Sequence, residues 1–382
     1  MRKQYNMMMK ILASTLCGII GGSMLVPFLT LSLKHAGHSE SAIGFFNSLS
    51  WISLLIASPY VAKITAKFGY RRTYIFTGVV SILYVLALFF AQNFYVWCVV
   101  HFLIGAIWAT RWVTTEAFIN AIAPEDKRGK FIGIYGSLIW IALAIGPSIL
   151  LVTGTSSNLP FYVAMGLFFI SFLLNFLVED VKEVYDPHDE TSLKSVSFFK
   201  THKFFFFAAF LGGVFENGIT PISVLYGISV GIDKATAPLV ASCIGFGALL
   251  VQYPIGWVAD KYKGRNHYLT LSVILLLANL LLLLAPQMNL VIFITAFFWG
   301  IFGPAMYVLL ITKLGGMYKK NDLVAVTAFI IFGYTSGGIM APLVGGATIE
   351  LTGVYGLPIL LCAISAVIAI SAKVSGAKYK ID

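Results

Sequence analysis

Three charged residues stand inside long apolar runs, and their types suggest proton and solute binding. Arg111 and Glu116 share one run, and Glu216 lies in another. A charge within a bilayer costs about 3 kcal/mol or more unless it is paired or hydrated. Because an apolar cavity favours the neutral form of a carboxyl, Glu216 is the first candidate for a group that takes up and releases a proton. Arg111 is the candidate partner for that carboxyl or for an acidic group of a solute.

Helical periodicity arranges the first of these runs around one face. At about 100° per residue, Arg111 and Glu116 flank opposite edges of that face, roughly 140° apart, and cannot pair along the helix. Arg111 therefore needs water, a solute or an acid on another helix, and Glu216 is the candidate. A static Arg111–Glu216 pair that only holds helices together is the alternative. The residues on the shared face are His101, Gly105, Trp108, Trp112 and Thr115.

Further polar and aromatic residues of these runs are candidates for the wall of a solute cavity. His101 could titrate near neutral pH, or it could be a packing residue whose hydrogen bonds are satisfied. Aromatic residues make up 15% of the chain, so each aromatic candidate could equally be a packing residue. The candidates for the cavity wall are Asn217, Trp108, Trp112, Trp299 and Tyr307.

The elements that carry these residues are predicted to be transmembrane helices. Of the 382 residues, 59% are apolar and only 11% are charged, whereas soluble domains have about 25% charged residues. Twelve apolar runs between residues 8 and 373 are long enough to cross a bilayer, which takes about 20 residues each. We therefore expect an all-α membrane protein with 12 transmembrane helices.

The basic residues predict the orientation of these helices. With twelve spans, 23 of the 26 lysines and arginines fall on one face of the membrane. Cytoplasmic loops carry such an excess, so the pattern predicts a multi-pass protein of the inner membrane with both termini in the cytoplasm. The net charge of +10 then reflects membrane orientation and contact with lipid, not binding of nucleic acid.

An internal repeat divides the chain into two halves. Residues 59–72 and 254–265 both begin with a proline in an apolar stretch and end in a basic turn. Gly105 with Gly300, and Pro147 with Pro342, keep the same 195-residue offset. Repeats of this kind are typical of secondary transporters. The polar segment 179–203 predicts a cytoplasmic linker between two pseudo-symmetric six-helix bundles, at 1–178 and 204–382.

The basic turns resemble a signature of the major facilitator superfamily, a family of secondary transporters. That signature is a glycine, three residues, an aspartate, a basic residue, one residue, a glycine and two basic residues. In the first half, Ala62 and Ala66 replace its glycine and aspartate. The second-half turn retains Gly256, Asp260, Lys261, Gly264 and Arg265, with one extra residue, and the first-half turn retains Lys67, Gly69, Arg71 and Arg72.

Two more segments carry the resemblance. Arg128 and Gly129 are similar to the family's arginine–glycine turn, and Gly146 with Pro147 is a fragment of its antiporter-associated motif. The chain is most similar to YcaD-type, drug-efflux-like bacterial members. The resemblance implies a cavity lined by spans one, four, seven and ten, and a cytoplasmic gate formed by the basic turns. Glu116 is then a candidate partner for Arg71 or Arg72, unless these arginines only set topology and bind lipid phosphate.

We therefore expect a monomeric secondary transporter that works by alternating access. Its predicted partners are a small polar or amphoteric organic solute, protons and membrane lipids, with no cofactor and no metal. Efflux is favoured over uptake, a proton-coupled importer of a nutrient or metabolite is the alternative, and a non-transporting sensor of the same fold is a weaker one. A membrane-embedded enzyme is disfavoured because the chain lacks HExxH, CxxC and GxSxG, and the absence of GxxxxGK[ST] argues against an ATP-driven pump.

Overall fold

The structure, a computed structural model, describes residues 2–91, 93–123, 128–178, 203–261, 266–317 and 320–379. Within these ranges every regular element is helical. Apolar runs form helices because a helix satisfies its own backbone hydrogen bonds where no water is present. The predicted linker at 179–203 lies outside the described residues, apart from Lys203 at the start of a helix.

The chain divides into two compact units, one formed by Met1–Ala36 with Leu49–His188 and the other by Gly37–Ser48 with Asp189–Asp382. The predicted bundle boundaries at 178 and 204 stay predictions. The helices before the linker are α1 (Arg2–His35), α2 (Glu40–Phe68), α3 (Tyr70–Phe90), α4 (Phe94–Ile122), α5 (Arg128–Ser148), the short α6 (Leu150–Thr153) and α7 (Leu159–Phe176).

The helices after the linker include one irregular turn in the middle of a long segment. They are α8 (Lys203–Gly213), a π-helical turn (Val214–Gly218), α9 (Ile219–Ser229), α10 (Pro238–Lys261), α11 (His267–Leu281), α12 (Leu290–Met317), α13 (Lys320–Thr352) and α14 (Gly356–Tyr379). Short 3₁₀ turns follow α11 at Leu282–Leu284 and α13 at Gly353–Tyr355.

Among the described residues, ten helical segments are long and apolar enough to cross a membrane. One of these segments, Val326–Val374, runs through most of α13 and on into α14. The apolar part of α10, Pro238–Val251, is shorter than the other ten. The multi-pass character predicted from the sequence is therefore confirmed, and the count of twelve spans stays a prediction.

Local sequence explains where several helices begin. Asn93 caps α4, since its Oδ1 accepts hydrogen bonds from the backbone N–H of Tyr95 at 2.9 Å and of Val96 at 3.3 Å. Asn266 caps α11 in the same way through Leu269 N–H at 3.1 Å. Both caps satisfy backbone donors that have no partner inside the helix. Gly69 separates α2 from α3 with φ of 80°, a left-handed conformation that favours glycine.

The first turns of α2 belong to the second unit because they pack on α13. A Cβ at Gly44 would overlap the carbonyl oxygen of Pro342, so only glycine permits this approach. The backbone N–H of Ser41 donates to the carboxylate of Glu350 at 2.9 Å. This contact places a negative charge at the positive end of α2, which is favourable.

The glycines of the internal repeat occupy equivalent helix crossings. In the first unit, a Cβ at Gly105 in α4 would overlap the carbonyl oxygen of Ser50 in α2. In the second unit, a Cβ at Gly300 in α12 would overlap the carbonyl oxygen of Ile244 in α10. The same kind of backbone-to-backbone contact therefore recurs 195 residues along the chain, where small residues let helices approach closely.

A second helix crossing also recurs in both units, but the glycine lies on a different helix of the pair in each unit. Gly146 of α5 lies against Ser23 and the carbonyl oxygen of Ile20 in α1, and a Cβ on it would lie 2.8 Å from that oxygen. In the second unit the glycine is on the other helix, because Gly218 lies against Ala341 of α13. The units have related packing but reach it with different residues.

Candidate functional site

Arg111 is held in the first unit by hydroxyl groups of two other helices. Its Nη2 donates to Ser14 Oγ of α1 at 2.7 Å and to Ser171 Oγ of α7 at 2.8 Å. Its Nε is buried and makes no hydrogen bond to any residue that the structure describes. Gly18 of α1 borders the guanidinium, and a Cβ there would lie in ordinary contact, 3.4 Å from Nε. Hydroxyls are neutral, so these contacts orient the guanidinium and leave its positive charge uncompensated.

A polar network fixes the hydroxyls that hold Arg111. Ser14 Oγ lies 3.0 Å from Ser171 Oγ and 2.6 Å from Asn175 Oδ1. Asn175 in turn donates from Nδ2 to the carbonyl oxygen of Tyr74 in α3 at 2.8 Å. Because each side chain of the network is constrained by another, the guanidinium is pre-organised in one position.

Glu116 lies further along α4 and hydrogen-bonds within the same helix. The indole Nε1–H of Trp112 donates to Glu116 Oε1 at 2.6 Å, and the two residues are one helical turn apart. The Glu116 side chain is exposed and borders a small cavity between α4 and α5. The predicted pairing of Glu116 with Arg71 or Arg72 stays a prediction.

Glu216 and Asn217 lie on the π-helical turn, which the sequence pattern did not predict. The Glu216 carboxylate accepts a hydrogen bond from the hydroxyl of Tyr334 in α13, and Asn217 Nδ2 also donates to that hydroxyl. The second carboxylate oxygen of Glu216, Oε2, is buried without a hydrogen-bond partner among the described residues. Tyr307 of α12 packs on Tyr334, with the ring centroids 4.7 Å apart. π-helical turns inside α-helices occur frequently at functional sites.

Glycines explain how the wide π turn fits between its neighbours. A Cβ at Gly303 of α12 would lie 2.8 Å from the Cβ of Phe215, and one at Gly337 of α13 would lie 2.8 Å from the backbone nitrogen of Val214. Gly213, just before the turn, leaves room for the carbonyl oxygen of Tyr334. The second unit therefore encloses the turn with backbone on two sides.

The remaining cavity candidates occupy different environments. His101 is 1% exposed, and its Nδ1 lies 2.8 Å from the hydroxyl of Tyr84, which favours the packing interpretation. Trp299 is fully buried and donates from Nε1 to Asn279 Oδ1 at 2.8 Å, so it lies in the core of the second unit. Trp108 is half-buried, and its ring lies edge-on to His101 at 6.0 Å.

Arg111 belongs to the first unit and Glu216 to the second, so their predicted pairing stays a prediction. The structure gives each of them partners within its own unit. Sequence reasoning missed these partners: Ser14, Ser171 and Tyr334. The signal that was available is that each is a polar side chain in an apolar helix.

The gate candidates are described only in part. In the first half, Lys67 lies in the last turn of α2 with its Nζ 5.4 Å from the centroid of the Phe68 ring, Gly69 makes the turn, and Arg71 and Arg72 lie in the first turn of α3. Arg128 begins α5, and Pro147 follows Gly146 inside the same helix. In the second half, Gly256, Asp260 and Lys261 lie in the last turns of α10. Arg265 lies outside the described residues. The gate itself stays a prediction.

Charged groups held by neutral partners inside a multi-pass helical protein are typical of a membrane transporter. The sequence profile of the Major Facilitator Superfamily matches residues 11–237 and 205–375, which together cover most of the chain. The chain belongs to the Major Facilitator Superfamily. The family resemblance predicted from the basic turns is confirmed.

Relatives and solved structures agree with this membership. The chain is 23% identical over 349 residues to the uncharacterized MFS-type transporter YfkF of Bacillus subtilis (strain 168), covering 90% of this chain and 88% of the relative. It is 22% identical over 321 residues to the uncharacterized MFS-type transporter YcaD of Escherichia coli (strain K12 / DH10B), covering 83% and 81%. The crystal structure of the nucleoside transporter NupG superimposes with a TM-score of 0.80 at 14% identity, covering 97% of this chain and 98% of that one. These proteins are transporters and not enzymes, as predicted for this chain.

Tyr334 provides a test of the site in the second unit. Replacing Tyr334 by phenylalanine is expected to lower solute transport about tenfold, because a hydrogen bond to a charged group contributes about 1.5–3 kcal/mol. The ring remains and can still pack on Tyr307, so the fold should be retained. Transport by reconstituted protein would be compared with that of Tyr162→Phe, which removes a hydroxyl from an exposed ring. Equal transport by both variants would show that the Tyr334 hydroxyl does not serve the site.

Proposed function

We propose that this protein is a proton-coupled secondary transporter of a small polar or amphoteric organic solute. In this proposal it has twelve spans in the inner membrane, with both termini in the cytoplasm, and it works by alternating access. The observation that carries the proposal is the Glu216 carboxyl, which lies on an irregular turn with a neutral phenol as its partner and one buried oxygen that no described residue contacts. A carboxyl without a nearby counter-charge can hold or release a proton as its surroundings change.

Arg111 supplies the opposite chemistry in this proposal. Its guanidinium is pre-organised by Ser14 and Ser171, whose hydroxyls are neutral and do not balance its charge. The partner is a carboxylate or similar group of the solute, or Glu216 when no solute is bound. Competition between the proton, the solute and Arg111 for these carboxylates would couple solute transport to proton transport. The likeness to a nucleoside transporter concerns the fold, and the proposed solute class depends on these charged residues instead.

Reconstituted protein tests the coupling directly. Liposomes would contain a pH-sensitive dye, and amino acids, organic acids, amines and nucleosides would be added singly under an imposed pH gradient. We expect at least one solute to move protons through the wild type, and Glu216→Gln to abolish that movement because glutamine cannot ionise. If the wild type carries a solute while Glu216→Gln couples it equally well, Glu216 is not the coupling group.

The matched control is Asp233→Asn, which also converts an acid into an amide. Asp233 lies in the connection between α9 and α10 and accepts hydrogen bonds from the backbone N–H of Ala235 at 2.9 Å and of Thr236 at 3.0 Å. Hydrogen bonds from Thr236, led by its side chain, hold the pKa of Asp233 below its usual value, so it stays ionised at the pH of the assay. The one carbonyl oxygen of asparagine can still accept both backbone hydrogen bonds, and Asp233→Asn should couple normally.

The same assay decides the direction of transport. Gly146 and Pro147 favour efflux, because they match part of an antiporter-associated motif. In an antiporter, protons move opposite to the solute, whereas in an importer that works as a symporter they move with it. A protein that binds a solute but moves none under any gradient would instead be a sensor.

A further inference from the structure

A small cavity in the first unit lies outside the contacts made by Arg111. It opens where the last turns of α4 face α5 and has a volume of about 210 Å³. Sites for drug-sized molecules are larger, about 300–1,000 Å³. The cavity therefore fits a small group, or one end of a larger solute. Its lining residues are Glu116, Ile119, Asn120, Ile132 and Tyr135.

The carboxylate of Glu116 is fixed at the border of this cavity. Trp112, one turn earlier on α4, donates to Oε1 at 2.6 Å. That donor is neutral, so the contact orients the carboxylate without balancing its negative charge. Among the residues that the structure describes, Oε2 has no donor, and a charged donor there would form the stronger type of hydrogen bond.

The other lining residues add acceptors and apolar surface. Asn120 donates from Nδ2 to the carbonyl oxygen of Glu116 at 3.0 Å, and its acceptor Oδ1 has no partner among the described residues. The ring of Tyr135 is buried and lines the same cavity as Glu116. Ile119 and Ile132 complete the wall with hydrocarbon. A carboxylate and an amide oxygen beside apolar and aromatic groups are complementary to an ammonium ion on a short hydrocarbon chain.

We propose that this cavity binds the ammonium group of an organic amine, with the Glu116 carboxylate as its counter-charge. The inference rests on the proposed transport function, because it names the cationic end of the solute. Arg111 lies five residues earlier on the same helix and would bind an acidic group. The first unit then carries separate binding groups for the two charges of an amphoteric solute.

Calorimetry on the full-length protein in detergent tests the cavity with two probes that share a four-carbon chain: n-butylammonium chloride and 1-butanol. We expect n-butylammonium to bind saturably and at least about tenfold more tightly than 1-butanol, a difference of about 1.4 kcal/mol. Glu116→Gln should weaken n-butylammonium binding at least about tenfold, because the amide is neutral. Its oxygen can still accept from Trp112, which protects the fold. Asp233→Asn, the matched control, should bind as the wild type does.

Two results would overturn the inference. One is n-butylammonium binding that is unchanged in Glu116→Gln, and the other is equal binding of n-butylammonium and 1-butanol by the wild type. The proton-coupling assay keeps this outcome separate from the proposed function. If the protein couples solute transport to protons through Glu216 but binds no ammonium at Glu116, the proposed function is supported and the inference about the cavity is wrong. Glu216→Gln should remove coupling while n-butylammonium binding remains.

Discussion

Replacing Arg111 by methionine is expected to reduce transport of an acidic or amphoteric solute about 100-fold. Truncating one partner of a buried, hydrogen-bonded charge pair costs about 2–5 kcal/mol, and 100-fold corresponds to about 2.7 kcal/mol. The fold should be retained, because Ser14 keeps its contacts with Ser171 and Asn175. Removing a charge whose described partners are all neutral from a membrane span also removes the free-energy cost of placing that charge in the bilayer. The measurement is uptake of radiolabelled solute into proteoliposomes.

Arg111→Lys separates charge from geometry in the same experiment. Lysine keeps the positive charge but lacks the planar guanidinium, whose Nη2 donates to both serines. We expect the transport rate of Arg111→Lys to lie between the rates of the wild type and of Arg111→Met. Lys234→Met, which removes a basic residue outside the two charged sites, is the control for the loss of a positive charge. Full transport by Arg111→Met would mean that the arginine serves packing alone.

Replacing Gly105 or Gly300 by alanine is expected to destabilise its own unit by about 3 kcal/mol, the upper end of the usual cost of overpacking. In each case the new Cβ would overlap a backbone carbonyl oxygen, of Ser50 or of Ile244, so two helices must move apart. The gain in helix propensity from glycine to alanine, about 1 kcal/mol, is too small to offset this cost. The melting temperature in detergent should fall for both variants.

Gly166→Ala is the control, since a Cβ at Gly166 in α7 would meet nothing within 4 Å. There the helix propensity acts alone, and the melting temperature should stay level or rise. If Gly105→Ala melted as Gly166→Ala does, the close approach of α4 to α2 would not be required for stability.

Much of the helical architecture could be predicted because the bilayer limits the alternatives. A long apolar run in lipid must satisfy its own backbone, so composition and length together indicate a helix. The 195-residue offset of Gly105 and Gly300 also had a structural meaning, since both glycines lie at the same kind of crossing. The basic turns predicted the family for a similar reason, because their residue types and spacing are specific.

The partners of the charged residues could not be predicted in this way. Arg111 contacts Ser14 and Ser171, which are 97 and 60 positions away in the chain. Such contacts depend on how each helix is rotated about its axis, and nearly uniform apolar runs carry little information about rotation. The contact of Trp112 with Glu116 was accessible in principle, because residues four apart on a helix are neighbours. The π turn shifts the helical position of Glu216, and no periodicity in the sequence indicates that turn.

The π turn also determines which changes in chain length the second unit can accommodate. Adding or removing one residue in a regular α-helix rotates everything that follows by about 100°. A π-helical turn already holds one residue more than an α-helical turn, within five residues. Deleting one residue between 214 and 218 would therefore leave a continuous α-helix in which Ala209 and Ile222 keep their buried faces. Glu216 and Asn217 thus stand at an insertion point, where a chain can gain or lose a polar group and leave the packing of the flanking helices in place.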